Sequence, residues 1–289
     1  MIAACQKDDA LLADIAVHRT LRNGFRLWWL GQSGFLLQYR GRHALFDPYL
    51  SDSLTRKYAN TDKPHVRMTE RVIDPARLGF IDVATSSHNH TDHLDAETLL
   101  PVIKANPALK LVIPEANRAF VAERLGCDPQ WPIGLNDGAS VCIGEFEFHG
   151  VASAHERLDE TAEGLYPYLG YVVKFGGYSV YHSGDTVLYA GLVEKLRAHE
   201  VDVAMLPING SLPERRVAGN LWGGEAARLA FDAGVKVAVP CHYGMFEFNT
   251  ASPEEFAAEC ERLGQKFRLL RNGEGFDFCR GGAEPGPLS

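Results

Sequence analysis

Ser87-His88-Asn89-His90-Thr91-Asp92-His93-Leu94-Asp95 places three histidines and an aspartate in the pattern His-x-His-x-Asp-His over positions 88–93. The preceding stretch, Ile81-Asp82-Val83-Ala84-Thr85-Ser86, is partly alternating and β-branched, so it reads as a strand. If the chain stays extended past Ser87, His88, His90 and Asp92 share one face, and His93 comes round as the backbone turns. Imidazoles and a carboxylate packed this closely must be hydrated, paired or metallated. A solvated histidine-rich loop is the plain alternative, but with 11 histidines in 289 residues such a cluster is rare by chance. The stretch reads as metal-binding.

The rest of the composition narrows the class. The length suits one large α/β domain or two small ones, and 46% hydrophobic residues allow a sizeable core. A net charge of −8 argues against a nucleic-acid backbone as partner. The six cysteines, Cys5, Cys127, Cys142, Cys241, Cys260 and Cys279, form no CxxC pair and read as reduced, mostly buried thiols. No run approaches the roughly 18 apolar residues of a membrane span. The opening residues lack the regions of a signal peptide. A cytoplasmic enzyme acting on a small molecule is the simplest expectation.

Along the chain, residues 8–19 suit a short amphipathic helix with acid at its start. Residues 26–47 read as a three-stranded meander ending at Asp47-Pro48, and 51–80 as a long polar loop. A helix over 96–105 should kink or restart at Pro101. Strands are expected at 110–113, 140–143, 145–149, 169–175, 178–182, 201–206, 235–240 and 267–270. Helices are expected at 117–125, 190–200, 224–233 and 254–263. Asp47, the 88–93 cluster, His155, Asp185 and His242 each come straight after a strand, where sites gather in layered α/β proteins. Alone, His155 or His242 would more often be an ordinary core or surface histidine, and Asp185 a turn residue.

Taken together, His88-x-His90-x-Asp92-His93 followed by His155, Asp185 and His242 resembles the metallo-β-lactamase superfamily, over about residues 25–280. The resemblance implies an α/β (α+β) fold of four layers, an αββα sandwich with metals at one edge. It sets residues 1–24 apart as an N-terminal extension, 25–280 as the hydrolase domain and 281–289 as a flexible tail. It implies that His88, His90 and His155 hold one divalent metal, that Asp92, His93 and His242 hold a second, and that Asp185 bridges them. Asp47 would steady the cluster by hydrogen bonding. Zinc or manganese suits these ligands.

The activity implied is hydrolysis by a metal-bound hydroxide, with Asp92 orienting the water or moving its proton. Histidine at position 90, where iron redox members would carry glutamate, favours hydrolysis over oxygen chemistry. Trp28-Trp29-Leu30-Gly31, Ile81-Asp82-Val83, Tyr181-His182-Ser183-Gly184-Asp185 and Val237-Ala238-Val239-Pro240-Cys241-His242 resemble the L-ascorbate-6-phosphate lactonase branch. That branch implies a lactonase acting on a small sugar-acid lactone, phosphorylated or not, and a homo-oligomeric assembly; Arg215, Arg216, Lys63 and Arg67 are candidate anchors for such an anion. His155, which that branch lacks, is closer to general lactonase-like hydrolases and to phosphodiesterases of the N-acyl-phosphatidylethanolamine phospholipase D type. Met245-Phe246-Glu247-Phe248 would then supply either a lipid groove or core.

Overall fold

In the computed structural model, which describes residues 1–21 and 23–280, the apolar runs of the sequence separate into two sheets. The first half of the chain gives α1 (Asp8–His18), β1 (Phe25–Gly31), β2 (Gly34–Tyr39), β3 (Arg42–Phe46), α2 (Ser53–Lys57), β4 (Val83–Thr85), α3 (Ala96–Ala105), β5 (Lys110–Pro114), α4 (Arg118–Leu125) and β6 (Ile133–Leu135). The second half gives β7 (Ser140–Ile143), β8 (Phe146–Ala152), β9 (Leu169–Phe175), β10 (Tyr178–His182), α5 (Leu192–His199), β11 (Val203–Pro207), α6 (Gly223–Asp232), β12 (Val237–Cys241), α7 (Glu254–Leu263) and β13 (Gly275–Phe278). One sheet runs β13-β1-β2-β3-β4-β5-β6 and the other β12-β11-β10-β9-β8-β7.

Strand periodicity explains the layering. Phe25, Leu27 and Trp29 of β1 face the second sheet, and so do Phe35, Leu37 and Tyr39 of β2. The intervening Trp28, Leu30 and Leu36 face outward, against Leu11 and Ile15 of α1, Leu99 and Val102 of α3 and Val121 of α4. Both faces are covered, so these strands read as nearly unbroken apolar runs. The second sheet repeats the pattern. Its Phe148, Tyr171, Val173, Met205 and Val239 meet the first sheet, while Val172, Tyr181 and Ala204 meet α5, α6 and α7. The αββα sandwich expected from the sequence is the fold.

Several local expectations change. Residues 267–270 form no strand, only a bridge from Phe267 to Ala238. The short edge strands β6 and β13 went unread. The helix over 96–105 runs through Pro101 unbroken, and the bond lost is to the carbonyl of Glu97, an exposed residue. Only Cys241 and Cys260 are buried; Cys5, Cys142 and Cys279 are exposed, and all six are free. Residues 8–18, set apart above as part of an extension, place Leu11 and Ile15 in the core shared with Trp28. Asp14 of this helix accepts the Trp28 Nε1–H bond at 2.7 Å. The expected flexible tail, 281–289, lies outside the described residues. Among those described, no helix is long and apolar enough to cross a membrane.

His43 in β3 is fully buried, with Nε2 3.0 Å from Gln38 Oε1 and its ring edge-on to Phe80. Burial pushes its pKa down to about 4. The folded protein therefore keeps His43 neutral where the unfolded chain, titrating near 6.5, already takes up a proton. Stability should fall as pH drops from about 6.5 to about 4. In urea denaturation of chelator-treated protein, His43→Gln should lose less stability between those pH values than the parent.

Candidate metal centre

The strand directions bring the site together. β3 and β4 run parallel, as do β10, β11 and β12. β8 is antiparallel to β9, and β9 to β10, so β8 points the same way as β10. Asp47, the 88–93 loop, His155, Asp185 and His242 all follow the C-terminal ends of these strands, at one edge of the sandwich.

The loop after β4 is built on a buried carboxylate. Asp47 is wholly enclosed and accepts hydrogen bonds from the Thr85 hydroxyl at 2.9 Å, the Ser87 amide at 3.0 Å, the Ser87 hydroxyl and His93 Nδ1–H at 2.7 Å. Burial alone would raise the Asp47 pKa, but the His182 and His93 imidazoles outweigh it and hold the group below the usual range. These bonds end the strand at Thr85, so the extended continuation expected through Asp92 does not form. The chain turns instead, with His93 and Leu94 donating to the His90 carbonyl. The turn, rather than strand alternation, aligns the cluster.

The donor atoms fall into two sets. His88, His90, His155 and Asp185 form one, and Asp92, His93 and His242 the other; within each set the ligand atoms lie within 4.8 Å of one another. His155 Nε2 stands 3.2 Å from His90 Nδ1 and 3.8 Å from Asp185 Oδ2. His242 Nε2 is 3.3 Å from Asp92 Oδ2 and 3.4 Å from Asp185 Oδ2. His93 Nε2 is 3.3 Å from Asp185 Oδ1, so Asp185 touches members of both sets.

Outward bonds fix the rings. His93 gives its Nδ1 to Asp47, and His155 Nδ1 faces the Gly219 carbonyl at 3.2 Å. Each therefore turns Nε2 inward as a lone-pair donor when neutral. His88 Nε2, His93 Nε2 and Asp185 Oδ1 are buried without a hydrogen-bond partner. Orphaned polar atoms of this kind are costly, and cations held by the two donor sets would satisfy them. The residues fit a metal.

The electrostatics agree. Burial, reinforced by His93 and His90, pushes His88 well down, and burial takes His155 to about 4. Both are neutral at pH 7, the form in which imidazole can offer a lone pair to a metal. At Asp185, burial would raise the pKa, but His242 and His93 prevail and hold it well below the carboxylate range. Burial would lower the His242 pKa, but Asp185 and Asp92 prevail and raise it to about 9. Without a cation, protons on imidazole offset the carboxylates.

The remaining candidates occupy different places. Arg215 donates to the Asn209 carbonyl, Asn249 Oδ1 and the Thr250 carbonyl, which ties the 209–220 loop to the 243–250 loop. Arg216 is paired with Asp62. Met245 and Phe246 are buried with Tyr49 and Leu54, so the first half of this stretch is core, while Glu247 is exposed and Phe248 half-buried. His182 donates from Nε2 to the Ser33 carbonyl at 2.8 Å and stacks on Phe46. Cys241 lies in the core between the sheets, and burial pushes its thiol pKa well up.

Two residues at the site escaped the sequence reading. Tyr168 sets its ring 5.4 Å from those of His88 and His155, and nothing in its local sequence marks it. Gln32 donates from Nε2 to Asp92 Oδ2 at 2.9 Å. It follows a strand, as Asp47, His155, Asp185 and His242 do, but an uncharged amide in a Gly31-to-Gly34 turn carries no metal-site signal of its own.

Comparison with known proteins agrees with this geometry. The model of the beta-lactamase superfamily domain matches residues 26–242. A UPF0173 metal-dependent hydrolase of Opitutus terrae is 31% identical, covering 86% of this chain and 98% of that protein. The probable L-ascorbate-6-phosphate lactonase UlaG of Salmonella heidelberg is 24% identical, covering 91% and 81%. Among solved structures, the metallo hydrolase Igni18 of Ignicoccus hospitalis matches with a TM-score of 0.64 at 23% identity, over 88% of this chain and 98% of that one. With its two-sheet fold and its candidate metal-binding His/Asp cluster, the chain belongs to the metallo-β-lactamase superfamily and is a metal-dependent hydrolase.

Proposed function

We propose that the cluster holds two divalent cations and that the protein opens the lactone ring of a small anionic substrate. The observation that carries this reading is the pair of donor sets, each within 4.8 Å, around buried atoms with no other partner. His88, His90 and His155 would hold one ion and Asp92, His93 and His242 the other, with Asp185 between them. Imidazole with carboxylate suits zinc or manganese. Such ions, when bound, polarise a carbonyl oxygen and lower the pKa of water to about 7.

The chain's own residues supply the rest. Asp92, partly exposed, would take a proton from the attacking water and return it to the ring oxygen as the C–O bond breaks. Tyr168 walls one side of the pocket, and burial raises its pKa, so its hydroxyl stays a donor. Lys57 reaches Thr91 Oγ1 at 3.2 Å, which puts a cation beside the cluster. That charge would favour a substrate bearing a phosphate or carboxylate. Likeness to a lactonase over most of the chain supports the substrate class. The burial of Met245 and Phe246 leaves less apolar surface for the lipid groove that the phosphodiesterase alternative would use.

Metal analysis of protein purified without added ions should find bound metal, and His88→Ala and Asp185→Asn should each lose most of it while the fold persists by circular dichroism. Asp47→Ala should weaken metal affinity by about 10- to 100-fold, because it frees the His93 ring. With zinc or manganese restored, the parent should hydrolyse phosphorylated sugar-acid lactones faster than bis-p-nitrophenyl phosphate. The reverse order would replace the lactonase reading with the phosphodiesterase one.

A further inference from the structure

Gln32 is an uncharged side chain that reaches into the donor cluster from the β1–β2 turn. It is 1% exposed. Its Nε2 lies 2.9 Å from Asp92 Oδ2 and 3.1 Å from His242 Nε2, and its Oε1 is buried with no partner. We infer that the Gln32 amide is a further oxygen ligand for the cation held by Asp92, His93 and His242, an inference that rests on reading those residues as a metal site.

Spacing is the first argument. Ligand atoms at about 2.1 Å from one ion stand roughly 3.0 Å apart at adjacent octahedral corners and about 3.4 Å apart in a tetrahedron. The amide end of Gln32 keeps that separation from two proposed ligands at once, as do Asp92 and His242 from each other at 3.3 Å. A residue that only buttressed the site from outside would touch one ligand on the side away from the ion.

Chemistry is the second. A half-turn of the amide about its terminal bond exchanges Oε1 and Nε2. With no cation present, the NH₂ group faces the Asp92 carboxylate and donates to it. With a cation present, the carbonyl oxygen is the end that the positive charge attracts. A carboxylate or imidazole at this position would offer no such exchange.

Preorganisation is the third. Gln32 has φ +50°, an uncommon conformation for a residue other than glycine. Its carbonyl accepts from the His242 amide at 3.0 Å and from Trp29 Nε1–H at 2.9 Å. The backbone of Gln32 thus holds the backbone of His242, and the two side chains meet at a fixed distance. An amide oxygen added to this set makes the position harder, which favours manganese or iron(II) over zinc there.

The test is metal titration of the full chain with Mn²⁺ and with Co²⁺, together with a crystal structure of the Mn²⁺-loaded protein. The parent should bind two ions. Gln32→Leu should keep the first at parental affinity, bind the second about tenfold or more weakly, and shift the Co²⁺ absorption spectrum. Gln32→Glu, which keeps the length and always presents an oxygen, should bind the second ion at least as tightly as the parent, and it serves if the leucine variant does not fold. In the crystal, Oε1 should face the second ion. A parent that binds two ions, with Gln32→Leu unchanged in both affinity and spectrum, overturns this inference alone; so does weakened binding in Gln32→Glu. A parent that binds no ion overturns it together with the metal reading.

Discussion

A carboxylate sealed from solvent, that of Asp47, is the constraint on which the site depends. Burying such a charge is unfavourable unless hydrogen bonds repay it, and here Thr85, Ser87 and His93 all turn toward it. Satisfying Asp47 therefore fixes where β4 ends, how the next residues turn and which nitrogen His93 offers inward. The cost of one buried ion becomes the geometry of four side chains.

The second sheet answers this loop from the opposite side. β8, β10 and β12 deliver His155, Asp185 and His242 at their ends, and the last side chain of β10, the buried His182, is held between Phe46 and the Ser33 carbonyl. The connections supply other side chains beside the cluster: Lys57 at the end of α2, which reaches Thr91, and Tyr168 ahead of β9. This division suits an enzyme whose chemistry is set by rigid strand ends and whose selectivity is set by their connections.

Much of this was legible in the residues because several independent signals coincided. The spacing at 88–93 marked one part of the site, and His155, Asp185 and His242 each followed a readable strand, so the order alone suggested convergence. The layered fold followed from strands apolar on both faces. What escaped did so for physical reasons. β6 and β13 are short edge strands with mixed burial, which carry little periodic pattern. The turn after Ser87 is dictated by a carboxylate forty residues earlier, a long-range effect that local propensity does not encode. Arg215 looked like a free cation because a sequence does not show the carbonyls that a loop will aim at it. Gln32 was silent because an amide carries no charge and belongs to no metal-site spacing.

Between the sheets lies a filling of large rings, with Phe25 and Tyr39 of one sheet set edge-on or tilted against Phe175 of the other. Since the ligands arrive from both sheets, the thickness of that filling sets the gap across the pocket. A bulkier or slimmer ring far from the pocket would widen or narrow the gap without altering any ligand, because a close-packed interior transmits strain. The spacing between the two donor sets is therefore partly written in aromatic residues that never meet them.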